Sequence, residues 1–223
     1  MTGMTNYSAD ALLEWLTGKT AMPSKPTAYI ALFTAVGTDA GSGFTEVSGG
    51  SYARVATAGA DWNAASGTGP STISNVNTIT FPAATGSWGT VIAFGLYDAA
   101  SSGNLLAWDY LGGFAWLPCT VSLASPGVLT ATAHGYSAAD TFVYSTEYGG
   151  VAPSFSQSNF TGLLTVTAPV ATDTFTATNS ATAVNTSSTG DGMVRKVTQQ
   201  SIPSGVTASF AGGTPGTLVI TAA

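Results

Sequence analysis

The stretch that decides the fold is residues 88–111, which read Trp88-Gly-Thr-Val-Ile-Ala-Phe-Gly-Leu-Tyr-Asp-Ala-Ala-Ser-Ser-Gly-Asn-Leu-Leu-Ala-Trp-Asp-Tyr-Leu111. Two apolar runs flank a turn between Asp98 and Gly103, which predicts two neighbouring strands. The natural continuation of this pattern is Gln199-Gln-Ser-Ile-Pro-Ser-Gly-Val-Thr-Ala-Ser-Phe210, not the residue that comes next. The segment between has strands and turns of its own. We therefore predict one β domain with a second β module inserted into a loop.

The predicted fold class is all-β. The parent domain is predicted to be a β-sandwich formed by residues 1–117 and 197–223, with one short N-terminal helix. The insert is predicted to cover residues 118–196. Its short, evenly spaced strands with turns between them indicate a small Ig-like sandwich.

The N-terminal helix is expected at about residues 8–17, with Ser8 as its N-cap and Gly18 as its terminator. One helical face is apolar and consists of Leu12, Trp15 and Leu16. We expect this face to pack on a sheet, with docking of a partner as the alternative.

Further strands of the parent domain are expected at 27–34, 51–56, 72–81, 89–97 and 104–110. Val206 to Phe210 and Thr217 to Thr221 are predicted to form a closing hairpin. Two long polar loops, 36–50 and 59–71, are expected to contact neighbouring subunits, because long loops in small domains are usually functional or mobile.

The amino-acid composition excludes several classes of function. Only 7% of the residues are charged, yet 44% are hydrophobic and five are Trp, so disorder is excluded. The net charge is −6, and no Lys or Arg lies between Arg54 and Arg195. Nucleic-acid binding depends on neutralising phosphates, so no nucleic-acid partner is expected. No signal sequence and no apolar run long enough for a membrane span is present, so no membrane partner is expected either.

Several strings in the parent domain form a recognisable set. The two most specific are Glu46-Val-Ser-Gly-Gly-Ser-Tyr-Ala-Arg54 and Phe94-Gly-Leu-Tyr-Asp98. The others are Tyr29-Ile-Ala-Leu-Phe-Thr34, Ile79-Thr-Phe-Pro82, Trp88-Gly-Thr-Val91, Gly103-Asn-Leu-Leu106 and Ser201-Ile-Pro-Ser-Gly205. In this order they resemble a family of small phage virion structural proteins, often labelled tail-fibre-like or minor structural proteins. The resemblance implies a virion component, assembled in the host cytoplasm.

The insert has its own marks, which are Ala124 to Gly135, Asp140-Thr141, Asp173-Thr-Phe175 and Gly190-Asp-Gly192. These resemble a module that recurs in phage structural proteins.

Catalytic chemistry has little support in the sequence. The single histidine, His134, lies in a predicted turn, where we expect its ring to cap a backbone group. The eleven acids are scattered without a pair at a telling spacing, and no nucleophile motif surrounds a serine. The lone Cys119 is expected to be an inert, partly buried thiol. We therefore predict that the protein has no catalytic, cofactor or metal site and is not an enzyme.

Four residues are candidates for an interface, namely Tyr52, Arg54, Phe114 and Trp116. Arg54 is a lone cation, and two roles are open for it. Its side chain either forms an ion pair with an acid or lies in solvent at the end of a strand. Phe114 and Trp116 lie next to the splice point, in an aromatic-rich region. Trp88 and Trp108 of the same region are expected in the core.

The function that these observations favour is a capsid decoration or cement protein on the outer surface of a tailed phage. Its expected partners are the major capsid protein and copies of itself, as a trimer. Fibre-shaft repeats are absent, and the acidic balance suits a face turned away from packaged DNA. The alternative is a tail-fibre or baseplate adhesin that binds host surface glycan.

Overall fold

The computed structural model describes residues 3–21, 27–67, 71–146, 150–151 and 162–222. The chain divides into two compact units, which we call the parent unit (Met1–Gly113 with Gln199–Ala223) and the inserted unit (Phe114–Thr198). Among the described residues no helix has the length and apolar character needed to cross a membrane.

The parent unit contains almost all of its regular structure as strands. Before the insertion its elements are β1 (Gly3–Met4), α1 (Asn6–Leu16), β2 (Ala28–Ala35), β3 (Thr45–Glu46), β4 (Val55–Thr57), a 3₁₀ turn (Gly59–Asp61), β5 (Ser71–Ser74), β6 (Ile79–Ala83), β7 (Gly89–Val91), β8 (Ala93–Tyr97) and β9 (Leu105–Tyr110). The inserted unit contains β10 (Leu117–Val121), β11 (Leu129–Thr130), β12 (Thr141–Ser145), β13 (Leu164–Thr167), β14 (Thr174–Asn179), β15 (Thr182–Ala183) and β16 (Gly190–Val197). The parent unit ends with β17 (Gln200–Ile202), β18 (Thr207–Phe210) and β19 (Val219–Ala222). The predicted all-β fold with one short helix is confirmed.

The main sheet of the parent unit is antiparallel and has the order β1-β9-β8-β2-β3, with β4 also paired to β2. β2 is an interior strand, flanked by β8 on one side and by β3 and β4 on the other, as its apolar residues on both faces predict. Three two-stranded ribbons complete the unit, because β17 pairs with β7, β18 with β6 and β19 with β5. Side chains from the sheet and the ribbons form one core, which includes Ile30, Leu32, Phe81, Phe94, Phe210 and Leu218.

The last two strands correct the sequence prediction. β18 and β19 do not form a hairpin with each other, since each pairs with a strand that precedes the insertion. The fully buried side chain of Asn75 explains this. Its Nδ2 donates to the carbonyl oxygens of Phe210 and Ala211, and its Oδ1 accepts from the backbone N–H of Leu218 at 2.9 Å. One amide therefore satisfies the backbone between the two strands and holds them apart.

Two predicted strands are divided in the structure. The segment 72–81 forms β5 and β6, and the segment 89–97 forms β7 and β8. Each half pairs with a different partner strand, which an apolar pattern along the chain does not encode. Trp88 and Trp108 are each 4% exposed, so their predicted place in the core is confirmed.

The inserted unit forms a closed barrel. Its strands follow the order β11-β10-β16-β12-β13-β14, and β14 pairs back to β11 through Leu129 and Phe175. An Ig-like module has two separate stacked sheets, so the closed ladder corrects that part of the prediction. The barrel is filled by buried side chains, which include Leu129, Phe142, Leu164, Val166, Phe175 and Val194.

Helix α1 begins two residues earlier than predicted. Thr5 is its N-cap position and makes no side-chain capping bond. Ser8, the predicted N-cap, lies inside the helix, where its Oγ donates to the carbonyl oxygen of Leu106 at 2.7 Å. This hydroxyl is engaged with β9 and is not available to cap. Gly18, with φ +72°, donates its N–H to the carbonyl of Trp15, as expected of a helix terminator.

Candidate functional site

Arg54 is held in a bidentate ion pair. Its Nε lies 2.8 Å from Oε1 of Glu46, and its Nη2 lies 2.6 Å from Oε2 of the same carboxylate. The side chain of Arg54 is 7% exposed and that of Glu46 is 24% exposed. Both charges are therefore largely removed from water. A forked guanidinium–carboxylate pair is strongest in such a buried setting.

The third guanidinium nitrogen of Arg54 reaches the turn after β8. Nη1 donates to the carbonyl oxygens of Ala99 at 2.9 Å and Ser102 at 2.7 Å. The guanidinium carbon also lies 3.4 Å from the ring centroid of Tyr97, close enough for a cation–π contact. Arg54 thus ties β3, the approach to β4 and the turn between β8 and β9 to one another.

Tyr52 extends this network into the core. Its hydroxyl donates to Oε1 of Glu46 at 3.0 Å and accepts from the backbone N–H of Leu32 at 2.9 Å. Burial raises the pKa of Tyr52 far above its usual value. Burial alone would lower the pKa of Arg54, but the hydrogen bonds and charge of Glu46 outweigh it, so that pKa is raised. The guanidinium stays protonated and the phenol neutral under all ordinary conditions.

The network of Glu46, Tyr52, Arg54 and Tyr97, which we call the Arg54 clamp, joins the two most specific sequence strings. Glu46, Tyr52 and Arg54 belong to the first string, and Tyr97 belongs to the second. Gly95 of the second string has no room for a side chain, since a Cβ there would lie 2.5 Å from the ring of Phe33. These residues fix the fold of the parent unit, and the ion-pair prediction for Arg54 is confirmed. A contact of Tyr52 or Arg54 with a neighbouring subunit stays a prediction.

Phe114 and Trp116 meet the cations of β16 within the inserted unit. Lys196 Nζ lies 5.5 Å from the ring centroid of Phe114, and the guanidinium carbon of Arg195 lies 5.9 Å from that of Trp116. Phe114 remains 39% exposed. Lys196 also pairs with Asp140 at 2.6 Å. The interface role predicted for both aromatic residues stays a prediction.

His134 and Cys119 have structural surroundings. Nδ1 of His134 accepts the backbone N–H of Tyr136 at 2.9 Å, which confirms the predicted capping of a backbone group. The ring is buried against Tyr136 and Phe175. Cys119 is buried in the barrel, and this burial raises the pKa of its thiol to about 12, so little reactive thiolate forms at neutral pH. Across the described residues, no three His, Cys, Asp or Glu side chains are placed to hold a metal ion.

Helix α1 presents apolar side chains to solvent. No residue of α1 is buried, and Leu13, Trp15 and Leu16 are 59%, 42% and 63% exposed. The predicted packing of Trp15 and Leu16 on a sheet is therefore wrong. The hydrogen bond from Ser8 to Leu106 holds the N-terminal half of the helix against β9.

An apolar pocket of about 430 Å³ lies in the parent unit and was missed in the sequence. Its walls are the half-buried side chains of Trp62, Ile73, Leu96 and Ile220. Trp62 was visible as an aromatic residue in the long loop 59–71. Its neighbours come from β5, β8 and β19, which only the folded chain brings together.

A protein-family model matches part of the chain. Residues 3–113 match the family described as Podophage GP4 fiber I protein gp80. The matched stretch is just under half of the chain and ends where the first part of the parent unit ends. A search of curated proteins found no match. The family match supports a structural component of a phage particle.

Proposed function

We propose that this chain is a subunit of the fibre apparatus of a short-tailed phage. In this proposal the parent unit attaches to the particle, and the inserted unit contributes to binding the host surface. The match of residues 3–113 to a fibre-protein family carries the proposal. The inserted unit lies wholly outside the matched stretch, which fits a module added to a shared attachment domain.

A groove in the inserted unit supports a glycan ligand. The groove measures about 420 Å³ and is lined by Thr120, Thr130, Thr132 and Asp191, together with Met193 and backbone. The three threonines are exposed. Hydroxyl and carboxylate groups spaced along a shallow groove suit the hydroxyls of a sugar, each of which both donates and accepts. We propose binding without catalysis.

Capsid decoration remains the second candidate, since the acidic, basic-poor composition favours a surface exposed on the particle exterior. The two candidate functions predict different defects in particles that lack the protein. A decoration subunit reinforces junctions against the pressure of packaged DNA, whereas a fibre subunit is needed for attachment to the host.

The test replaces residues 114–198 by a short Gly/Ser linker in the phage genome. We expect the shortened protein to be incorporated, adsorption to fall at least about tenfold, and heat-induced DNA release to be unchanged. Complete removal of the protein should also abolish adsorption. Particles that lose DNA at lower temperature yet adsorb normally would establish the decoration role instead.

A finer test addresses the groove. The isosteric variant T120V/T130V/T132V removes three hydroxyls and should weaken binding to host cells, with the barrel intact by circular dichroism. Thr182→Val, at an exposed threonine of β15, is the matched control and should bind as the natural protein does. Equal binding by the triple variant would exclude the groove as the glycan site.

A further inference from the structure

A row of polar side chains crosses four neighbouring strands of the inserted unit. Asp191 of β16 stands opposite Thr120 of β10, Thr120 stands opposite Thr130 of β11, and Thr130 stands opposite Thr174 of β14. Residues that are directly opposed in antiparallel strands lie on the same face of the sheet, with their side chains in contact range. We call these four residues the polar row. The groove of the inserted unit is lined by its first three members, and Thr174 extends the row beyond that lining.

The polar row lies on the outer face of the barrel. Cys119, Leu129 and Phe175 are the sequence neighbours of its three threonines, and each is at most 3% exposed in the barrel core. Successive side chains of a strand point to opposite faces, so the row points outward. Neighbouring strands are about 4.8 Å apart, so a row over four strands extends about 14 Å across the barrel. This length exceeds what one small polar group can span.

The charges around the polar row oppose an acidic ligand. Asp191 belongs to the row, and Asp173 adjoins its other end. Arg195 and Lys196 are the only basic residues in the sequence of the inserted unit. Arg195 is 4% exposed, and Lys196 is paired with Asp140 at 2.6 Å. An acidic sugar at the row would therefore meet charge of its own sign without a cation to offset it, which disfavours its binding.

Uncharged sugar hydroxyls match the chemistry of the polar row. A threonine hydroxyl both donates and accepts, as a sugar hydroxyl does, and the carboxylate of Asp191 adds a pure acceptor. Oδ1 of Asp191 accepts the backbone N–H of Val151 at 2.5 Å, which fixes this carboxylate at the end of the row. A hydrogen bond between neutral groups replaces bonds to water and contributes little by itself. Binding therefore needs several such contacts in line, which a chain of sugar units supplies and a single unit does not.

We infer that the inserted unit binds an uncharged glycan chain that lies across its strands, along the polar row from Asp191 to Thr174. The inference rests on the proposed glycan-binding function and narrows the ligand to a chain of neutral sugar units. Chains rich in sialic acid, uronic acid or phosphate are rejected by the like charge at the row. Thr174, which lies outside the groove lining, becomes a contact residue for the ligand.

The charge of the ligand is tested by competition. Binding of the full chain to host cells is measured against polysaccharide chains cleaved from the membrane and cell-wall anchors of the same cells. Ion exchange divides these chains into an acidic fraction, a basic fraction and a neutral fraction that neither type of column retains. We expect the neutral fraction to inhibit binding at a concentration at least about tenfold lower than either charged fraction. A charged fraction that inhibits better would overturn the inference and leave the glycan function standing, whereas inhibition by none of the three would remove the glycan function itself and the inference with it.

The path of the ligand is tested by two variants on one strand. Thr174→Val removes the last hydroxyl of the polar row while keeping the shape of the side chain, and should weaken binding to host cells about three- to tenfold, the scale of one lost hydrogen bond. Thr178→Val is the matched control, because Thr178 is also half-buried and lies on the same face of β14, about 13 Å further along. It should bind as the natural chain does, and both variants should keep the natural melting temperature. Undiminished binding by Thr174→Val, or an equal loss in Thr178→Val, would overturn the placement of the ligand along the row without touching the groove.

Discussion

The two units solve the problem of strand edges in different ways. In the inserted unit, pairing of β14 with β11 closes the sheet into a barrel. Every strand of this barrel therefore has its partners within one continuous segment of the chain. The parent unit pairs three strands that precede the insertion with three that follow it. A closed barrel abolishes its own edges, whereas open ribbons need their partners to be present. The inserted unit is therefore self-sufficient in its strand pairing, whereas the parent unit pairs strands from both sides of the insertion.

The largest effect follows from removing residues 199–223. This deletion takes away the partners of β5, β6 and β7 together with the core side chains of Phe210 and Leu218. We expect the parent unit to lose its cooperative unfolding transition, while the barrel keeps its own. Circular dichroism with limited proteolysis measures both.

The reciprocal change is replacement of residues 114–198 by a short Gly/Ser linker, which should leave a folded parent unit. The comparison between the units fails if the first deletion leaves the parent unit protected from protease, or if the second exposes it.

Single core truncations sharpen the same comparison. Phe142 in the barrel and Phe33 in the main sheet are both fully buried. Changing either to Ala should cost about 3–5 kcal/mol of unfolding free energy, because a cavity is left behind. Each substitution should lower only the transition of its own unit in differential scanning calorimetry. A single transition that shifts with both variants would show that the units unfold together.

The Arg54 clamp gives a smaller effect, confined to the parent unit. Arg54→Ala removes both hydrogen bonds from the guanidinium to the carboxylate of Glu46, and should cost about 2 kcal/mol. Lys19→Ala, which removes an ion pair at side chains 69% and 39% exposed, should stay within about 0.5 kcal/mol. Urea denaturation compares the two. Equal effects would mean that the buried clamp contributes no more than a surface pair.

The smallest effect concerns the pH dependence of the inserted unit. Burial raises the pKa of Asp140, but hydrogen bonds from Lys196 and from the backbone N–H of Ser137 outweigh it, so that pKa is lowered. Its contribution is therefore present above the unfolded pKa of about 4 and is lost as the pH falls through the folded value.

Asp140→Asn should remove this dependence, with a loss of about 0.5–1 kcal/mol at pH 7. The melting temperature of the inserted unit at pH 3 and pH 7 measures it. An unchanged difference between the two pH values in the variant would assign the acid sensitivity to another group.

Local patterns made part of this fold predictable. Apolar runs and turn residues indicated the all-β class and the buried Trp88 and Trp108. The helix end at Gly18 and the capping role of His134 also follow from properties of single residues in short segments. These features depend on neighbours within a few positions, which is the range over which a sequence pattern carries information.

Strand pairing was the part that could not be predicted. The barrel closes through only two residue pairs between β11 and β14, and nothing in either short segment specifies the other. The predicted closing hairpin failed because the buried amide of Asn75 binds both strands from a distance of more than 130 residues. The apolar pocket beside Trp62 was missed for the same reason, since its walls come from four separate segments.

Dependence of the parent unit on both chain ends sets the order of events during synthesis on the ribosome. Residues 1–113 emerge first, yet their ribbons β5, β6 and β7 have no partners until the final segment is translated. The barrel, whose strands arrive consecutively, folds in between. We therefore expect the usual order, in which the N-terminal domain folds first, to be reversed, with strands β5, β6 and β7 unpaired while the rest of the chain is made. A truncation late in the message would release a chain with a complete set of barrel strands and an aggregation-prone parent unit.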